Sequence, residues 1–419
     1  MSALDRGNRP RRAIVLSGGG ARGAYEAGVL RYLLETFTER FGRSVDFEIV
    51  SGTSVGAIHA CFLAATAHLT GAERGQRLVE IWEHLRVDDV FRFTTADVLG
   101  LPRKLLGMRH MSEQLRAGRR PDRLFGLLDT QPLEQLVLNS IPWRELRHNL
   151  RAGRLEALCV AATQIATSRA VVFVEQGRPS LPPWTDQAHI NMQNIRMMPV
   201  HALASAAIPL LFPAVRIGAR YYSDGGLRLG TPLAPAVRLG ADRILVVGLS
   251  QGFAESVDDG LAQQRTAGFG NPMFLFGKVL NALLLNPIDT DIARMHLVNG
   301  ILDDGKAAFG DNFLADLNAR AVERGGRPVK KIHNLVIRPS VDLGLVAGEV
   351  LAAGELTLSP FLRLFLRTFG KGSGPNEADL LSYLLFDTHY ARPLAQLGYR
   401  DAEAHEEDLV RFFSDEEID

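Results

Sequence analysis

Only two cysteines occur in 419 residues. Cys61 and Cys159 both sit in apolar segments, so buried free thiols are expected rather than a disulfide framework. That usage fits a reducing compartment. No stretch approaches the roughly 18 uninterrupted apolar residues of a membrane-spanning helix. Net charge is absent too: 47 Lys and Arg balance 47 Asp and Glu, which argues against a general nucleic-acid binder. There is no internal repeat and no low-complexity tract. The basic start (Arg6, Arg9, Arg11, Arg12) precedes only a short apolar run, so neither a twin-arginine nor a Sec signal is expected. A cytoplasmic protein is the resulting expectation.

Hydrophobic residues make up 46% of the chain, enough for a sizeable core. Ala13–Ser17 is a short apolar run that ends at glycines and reads as a buried strand. A helix is expected from about Gly23 to Arg40, with Leu30, Leu33, Leu34 and Phe37 on one buried face. Phe47–Val50 reads as a second strand, followed by a turn at Ser54 and a helix through Gly56–Leu69. Leu155–Ala162, Ala170–Glu175, Ile217–Tyr222, Arg243–Leu249 and Asn334–Arg338 are further strand candidates. Strands alternating with helices imply an α/β sandwich with a mainly parallel sheet. Gln251–Pro272 reads as a loop and Gly370–Asn376 as a break between helical stretches; Glu377–Leu385 reads as helix, and the acidic tail from Asp401 as a fraying end.

Gly52-Thr53-Ser54-Val55-Gly56 has the G-x-S-x-G pattern, with an apolar strand before it and an Ala-rich helical segment after it. Such a turn exposes a serine hydroxyl above a sheet edge, and its glycines prevent clashes. The Val55 N–H and the helix dipole can stabilise negative charge there. An ordinary tight turn with a helix-capping serine is the alternative.

Upstream lies Gly18-Gly19-Gly20-Ala21-Arg22-Gly23, a backbone rich in N–H groups that a negative oxygen can approach. Gly18, Gly20 and Gly23 also satisfy G-x-G-x-x-G after a strand, the dinucleotide fingerprint, with Asp46 and Glu48 as candidate ribose acids. Arg22 fits either reading, as a phosphate ligand or a lock on the loop. Dinucleotide binding, however, gives no reason for the second glycine-rich turn at Ser54.

A serine nucleophile needs a proton acceptor. Eleven histidines are present and none has an obvious catalytic setting. His59 lies one turn beyond Ser54 and is expected to pack or face solvent; His296, His333 and His389 come late enough for a Ser–Asp–His order. Asp224, in Ser223-Asp224-Gly225-Gly226, is the better candidate, because two glycines after a strand allow a sharp turn and close backbone approach. Asp259-Gly260 and Asp304-Gly305 lack the second glycine.

In this order the three motifs resemble the patatin-like phospholipase family, as does Ala204-Ser205-Ala206-Ala207-Ile208-Pro209, which is similar to a segment that usually precedes the aspartate turn. The resemblance spans roughly residues 12–250. It implies a three-layer α/β/α fold with a mainly parallel sheet, a metal-free and cofactor-free Ser–Asp dyad, and hydrolysis of acyl esters of phospholipids or related lipids. By position, Ser54 is the nucleophile and Asp224 the base. Gly18, Gly19, Gly20, Arg22, Gly23 and Val55 make the oxyanion hole, and Gly52, Gly56, Gly225 and Gly226 support the elbow and the turn. Where the family's loop often begins with aspartate, this chain has Ser17. The implied organisation is an acyl hydrolase domain over residues 10–345 and a largely helical C-terminal extension over 346–419, similar to extensions in some bacterial members.

Two alternatives stay open: an acyltransferase using the same acyl-serine, and a non-catalytic regulatory member of the fold. A lipid substrate also implies transient contact with a membrane surface. Met273–Leu285 is apolar apart from Gly277, Lys278 and Asn281, and Phe361–Lys371 carries Arg363, Arg367 and Lys371 beside leucines and phenylalanines. Both also read as core-packed helices with snorkelling charges. Pro102–Arg123, rich in Arg and Lys, reads as a solvated segment or as a cap that meets anionic headgroups.

Overall fold

Arg12–Leu16 (β1) carries apolar residues on both faces, the pattern of a strand covered on both sides. In the computed structural model, which describes residues 9–92, 121–124, 126–177, 190–251, 288–354, 356 and 379–415, it lies inside a mixed sheet. Its parallel neighbours are β2 (Ile49–Thr53) on one side and Arg243–Val247 on the other. β3 (Ala157–Gln164) continues the parallel set beyond β2. β4 (Arg169–Gln176) returns antiparallel to β3, and β5 (Ile190–Asn194) runs parallel to β4. β6 (Val215–Ile217) and β7 (Arg220–Asp224) form a hairpin, and β7 also pairs antiparallel with β3. With β8 (Arg243–Val247) and β9 (His333–Ile337), the order among the described residues is β5-β4-β3-β2-β1-β8-β9, with the hairpin attached to β3.

Strand alternation divides the core into two layers. Ile14, Leu16, Val50, Leu158 and Val160 face one side. Ala13, Val15, Ile49, Ala157 and Cys159 face the other. The first layer is covered by α1 (Gly23–Tyr32), α2 (Val55–Ala65) and α3 (Gly71–His84), the last begun by a Thr70–Glu73 capping box. The second is covered by α4 (Leu233–Arg238) and the start of α5 (Ile288–Phe309). This is the expected three-layer α/β/α arrangement. Cys61 and Cys159 are buried free thiols on opposite faces of the sheet, and burial raises the pKa of each.

The C-terminal region is helical: α6 (Asp379–Leu384), α7 (Thr388–Ala404) and α8 (Glu406–Phe413). Tyr383, Tyr390, Leu394, Leu409 and Phe413 join the same core layer as α1. α7 lies so close to α1 that a Cβ on Gly28 would collide with the Ala395 carbonyl, and one on Gly398 with the Tyr25 carbonyl. Across that contact the Tyr25 hydroxyl donates to Asp401 at 3.0 Å, and further along α1 the Tyr32 hydroxyl donates to Glu406, the first residue of α8, at 2.6 Å.

Several expectations are revised. Most strands shift by a residue or two, and Ile217–Tyr222 is the hairpin of β6 and β7, turning at Gly218 with φ 60°. The first helix passes into a π-helical turn at Leu33–Phe37, where the Thr38 hydroxyl donates to the Leu33 carbonyl at 3.0 Å. The acidic tail does not fray as far as it is described. Leu409, Phe412 and Phe413 are buried, and Arg12 and Arg243 donate to the carbonyls of Phe413 (2.9 Å) and Phe412 (2.8 Å), which satisfies the end of α8. Residues 102–120 of the arginine-rich segment, 252–272 of the polar loop, Met273–Leu285, Phe361–Lys371 and Gly370–Asn376 lie outside the described residues. Among the described residues no helix is long and apolar enough to cross a membrane.

Candidate active site

Ser54 follows β2 directly and starts α2. It has φ 55° and ψ −124°, a conformation a non-glycine residue holds only at a cost of about 1–3 kcal/mol. Packing enforces it. A Cβ on Gly52 would collide with the Gly56 carbonyl, and one on Gly56 would lie 2.5 Å from the Leu16 carbonyl. The turn is therefore pressed against its own helix and against the end of β1, where a larger residue has no room. The end of β2 is tied down further by the Thr53 hydroxyl, which donates to the Leu229 carbonyl at 2.7 Å.

The register of the sheet brings Asp224 to this turn. β2 leaves the edge of β3 at the pair Thr53↔Ala161. β7 takes over the same edge from the opposite direction and ends at Ala162↔Asp224. The two strands meet end to end, and the Ser54 hydroxyl donates to Asp224 Oδ2 at 2.6 Å. The other oxygen, Oδ1, accepts the Gly226 N–H at 2.7 Å. Asp224 is fully buried, and its pKa is pushed up to about 6 by loss of solvation, against which the bonds from Ser54 and Gly226 work.

Ser205 completes the frame. Its hydroxyl accepts the Ser54 N–H at 2.9 Å and donates to the Ala161 carbonyl at 2.5 Å, while its own carbonyl accepts the Gly225 N–H at 3.2 Å. The serine turn, β3 and the aspartate turn thus converge on one residue. The sequence marked the segment around Ser205 but assigned it no task.

The glycine-rich loop follows β1 and lies against the serine: a Cβ on Gly18 would be 3.1 Å from Ser54 Cβ. Three of the expected oxyanion donors are corrected here. The Gly18 N–H donates to the Gly230 carbonyl at 3.0 Å, the Arg22 N–H to the Gly19 carbonyl at 3.2 Å, and the Gly23 N–H back to Gly20 and Ala21. A donor already bonded within the protein is not open to a substrate oxygen. Gly19 and Gly20 N–H meet no acceptor among the described residues, and the Val55 N–H, in the first turn of α2, has no partner within the helix. Arg22 is buried and turned away: its Nε donates to Ser382 at 2.8 Å, and its guanidinium lies 4.4 Å from the Tyr383 ring centre.

Behind the loop runs a chain that sequence reasoning missed. Glu26 accepts the Ser17 N–H at 2.8 Å and faces His59 Nδ1 at 2.8 Å, and the Trp82 indole N–H donates to His59 Nε2 at 3.0 Å. With Nε2 accepting, Nδ1 carries the proton and donates to Glu26. His59 therefore packs, as one of its two expectations had it. Of the later histidines, His296 pairs with Asn334 and His389 with Asp387. Asp304 lies within α5 rather than at a turn.

The dinucleotide reading fails on topology. Glu48 accepts the Arg12 N–H at 2.8 Å, so Asp46 and Glu48 sit at the start of β1 and β2. The glycine loop is at the far end, five residues or about 16 Å of strand away.

The sequence model of patatin-like phospholipases matches residues 14–237, more than half of the chain. The chain belongs to the patatin-like phospholipase family. Its match runs from β1 through the glycine loop, the serine turn and the aspartate turn. No curated protein matches this patatin-like chain. Among solved structures, VipD from Legionella pneumophila is 15% identical with a TM-score of 0.33, over 95% of this chain and 67% of that one. Human GIVD cytosolic phospholipase A2 is 12% identical with a TM-score of 0.43, over 98% of this chain and 61% of that one. Its complex with methyl gamma-linolenyl fluorophosphonate gives 13% and 0.41, over 98% and 59%. This chain thus spans about three fifths of the human protein's solved chain, and at such identities and scores the family match alone identifies it.

Proposed function

We propose that this patatin-like protein is a serine lipid acyl hydrolase of the phospholipase A or lysophospholipase type, acting through a Ser54–Asp224 dyad. The observation that carries the reading is the 2.6 Å hydrogen bond from a strained, buried serine to a fully buried aspartate at the end of a strand. Ser54 Oγ attacks the ester carbonyl while Asp224 Oδ2 takes its proton. The Gly19, Gly20 and Val55 N–H groups receive the oxyanion. As the carbonyl re-forms, the alcohol leaves with the proton held by Asp224. Water then attacks the acyl-serine, Asp224 takes the water proton, and the fatty acid departs as the proton returns to Ser54. Deep burial favours this use of Asp224, because a carboxyl with its pKa near 6 is a better base than an exposed aspartate yet still ionised at neutral pH.

The test is fatty-acid release from mixed phospholipid vesicles, resolved by mass spectrometry, for wild type, Ser54→Ala and Asp224→Asn. Release by wild type and its loss in both variants supports the dyad. Release that survives Ser54→Ala sinks it. Acyl groups appearing on an added alcohol or glycerol instead of as free acid would move the assignment to acyl transfer.

A further inference from the structure

The sequence match to the family ends at residue 237, but the glycine loop is not finished there. Arg22 closes the loop, and its side chain is only 3% exposed. It reaches across 360 positions of sequence to Ser382, whose hydroxyl accepts from Nε at 2.8 Å. Its guanidinium also lies over the Tyr383 ring at 4.4 Å. Ser382 and Tyr383 are themselves fully buried, so this contact is sealed from water. Two residues earlier the backbone of the same loop touches α6. Gly20 has φ 58°, and a Cβ there would collide with the Tyr383 carbonyl. A left-handed turn with no space above it is held by the body that fills the space.

We propose that Ser382 and Tyr383 of the C-terminal region are positioning residues for acyl transfer to Ser54: they hold Arg22 and Gly20, and so fix the Gly19 and Gly20 N–H groups where the oxyanion forms. This rests on the hydrolase reading above. The mechanical support is continuous. α6 leads within a few residues to α7, which is locked to α1 by the close approaches at Gly28 and Gly398 and by the bond from Tyr25 to Asp401. α1 begins at Gly23, immediately after Arg22. The loop is thereby gripped from α6 at Arg22 and through α1 by α7. Oxyanion donors stabilise charge only when they are already in place, and misplacement by about 1 Å costs on the order of 10²-fold in rate. The C-terminal helices therefore contribute to turnover without supplying a reacting group. The arrangement also gives Arg22 a task other than binding a substrate phosphate.

The experiment uses the full chain carrying Ser382→Ala, Tyr383→Phe and Tyr383→Leu. Each is measured for fatty-acid release from phosphatidylcholine vesicles, for thermal unfolding, and for amide hydrogen exchange in the peptide spanning Ser17–Arg22. Ser382→Ala and Tyr383→Leu are expected to lower kcat about tenfold or more with little change in KM, and to speed exchange in that peptide. Tyr383→Phe keeps the ring under Arg22 and should hold kcat within a few-fold of wild type. If Tyr383→Leu fails to fold, Ser382→Ala, which removes one oxygen, decides alone. Wild-type kcat and wild-type exchange in Ser382→Ala overturn the proposal, and so does a fall in kcat with loop exchange unchanged. If wild type releases no fatty acid, the hydrolase reading is what fails. The exchange data then stand by themselves: faster loop exchange supports the clamp, and unchanged exchange overturns it.

Discussion

Ser54 and Asp224 face each other because two strands share one edge of a third. β2 occupies that edge up to Ala161 and β7 occupies it from Ala162 onward, running the other way. The hydroxyl and the carboxylate extend from the two strand ends and meet at 2.6 Å. Neither sits on a free loop. Their separation is set by backbone register, which changes only in whole residues, so the pair is held in place before any substrate arrives.

The raised pKa of Asp224 predicts the acid limb of the rate profile. A proton acceptor must be ionised, and burial holds this carboxyl to about 6. We expect kcat/KM to fall tenfold per pH unit below about pH 6, and to be level between about pH 7 and pH 8. Initial rates on a soluble ester with a chromogenic leaving group, across that range in constant ionic strength, check this. A profile still flat at about pH 4.5 would remove Asp224 as the base.

The same shift has a cost for folding. Asp224 ionises near 3.8 when unfolded and about 6 when folded, so between about pH 4 and pH 6 the native state holds a proton that the unfolded state has released. Stability from this group therefore falls as pH rises from about 4 to 6 and stays low above that. Asn at this position can offer its oxygen to the Gly226 N–H and its amide to Ser54 Oγ, leaving neither unpartnered. Asp224→Asn should lose activity but gain relative stability, the difference from wild type moving by roughly 2 kcal/mol in its favour between about pH 4 and pH 7. Urea unfolding at the two pH values measures this, and a constant or reversed difference would contradict it.

Glu26→Gln tests the chain behind the loop. Glu26 receives two N–H donors, from Ser17 and from His59, and His59 cannot swap its proton because Nε2 accepts from Trp82. A glutamine of the same shape presents one oxygen and one NH2, so one donor is left facing another. Glu26 is fully buried, where water does not relieve the conflict. A loss of about 1–3 kcal/mol is expected in urea unfolding at pH 7. An unchanged midpoint would show that the conflict is absorbed elsewhere.

Much of the fold could be read along the chain. The apolar runs of β1, β3, β4 and β8 are continuous because both faces are covered, and such runs stand out in the sequence alone. The hairpin of β6 and β7 was less visible, since a tight turn at Gly218 interrupts only two residues of an otherwise strand-like stretch. The tail misled for a different reason. Its acidic residues suggest solvent, yet Leu409, Phe412 and Phe413 recur on one helical face and are buried, Phe413 beside Phe37 and Phe47.

By itself the sequence determined the chemistry carried by each segment: a serine on a turn only small neighbours permit, an amide-rich loop after a strand, and an aspartate followed by two glycines. These are local properties, set by backbone sterics within a few residues. Only the tertiary structure decided which amides stay open, because Gly18 meets Gly230, a partner more than two hundred residues away. It alone decided that Ser205 joins the serine turn to the aspartate turn, and that Arg22 belongs to Ser382 and Tyr383 rather than to the site. A hydrogen bond between distant residues depends on how the layers stack, and periodicity in one segment carries no record of what stacks against it.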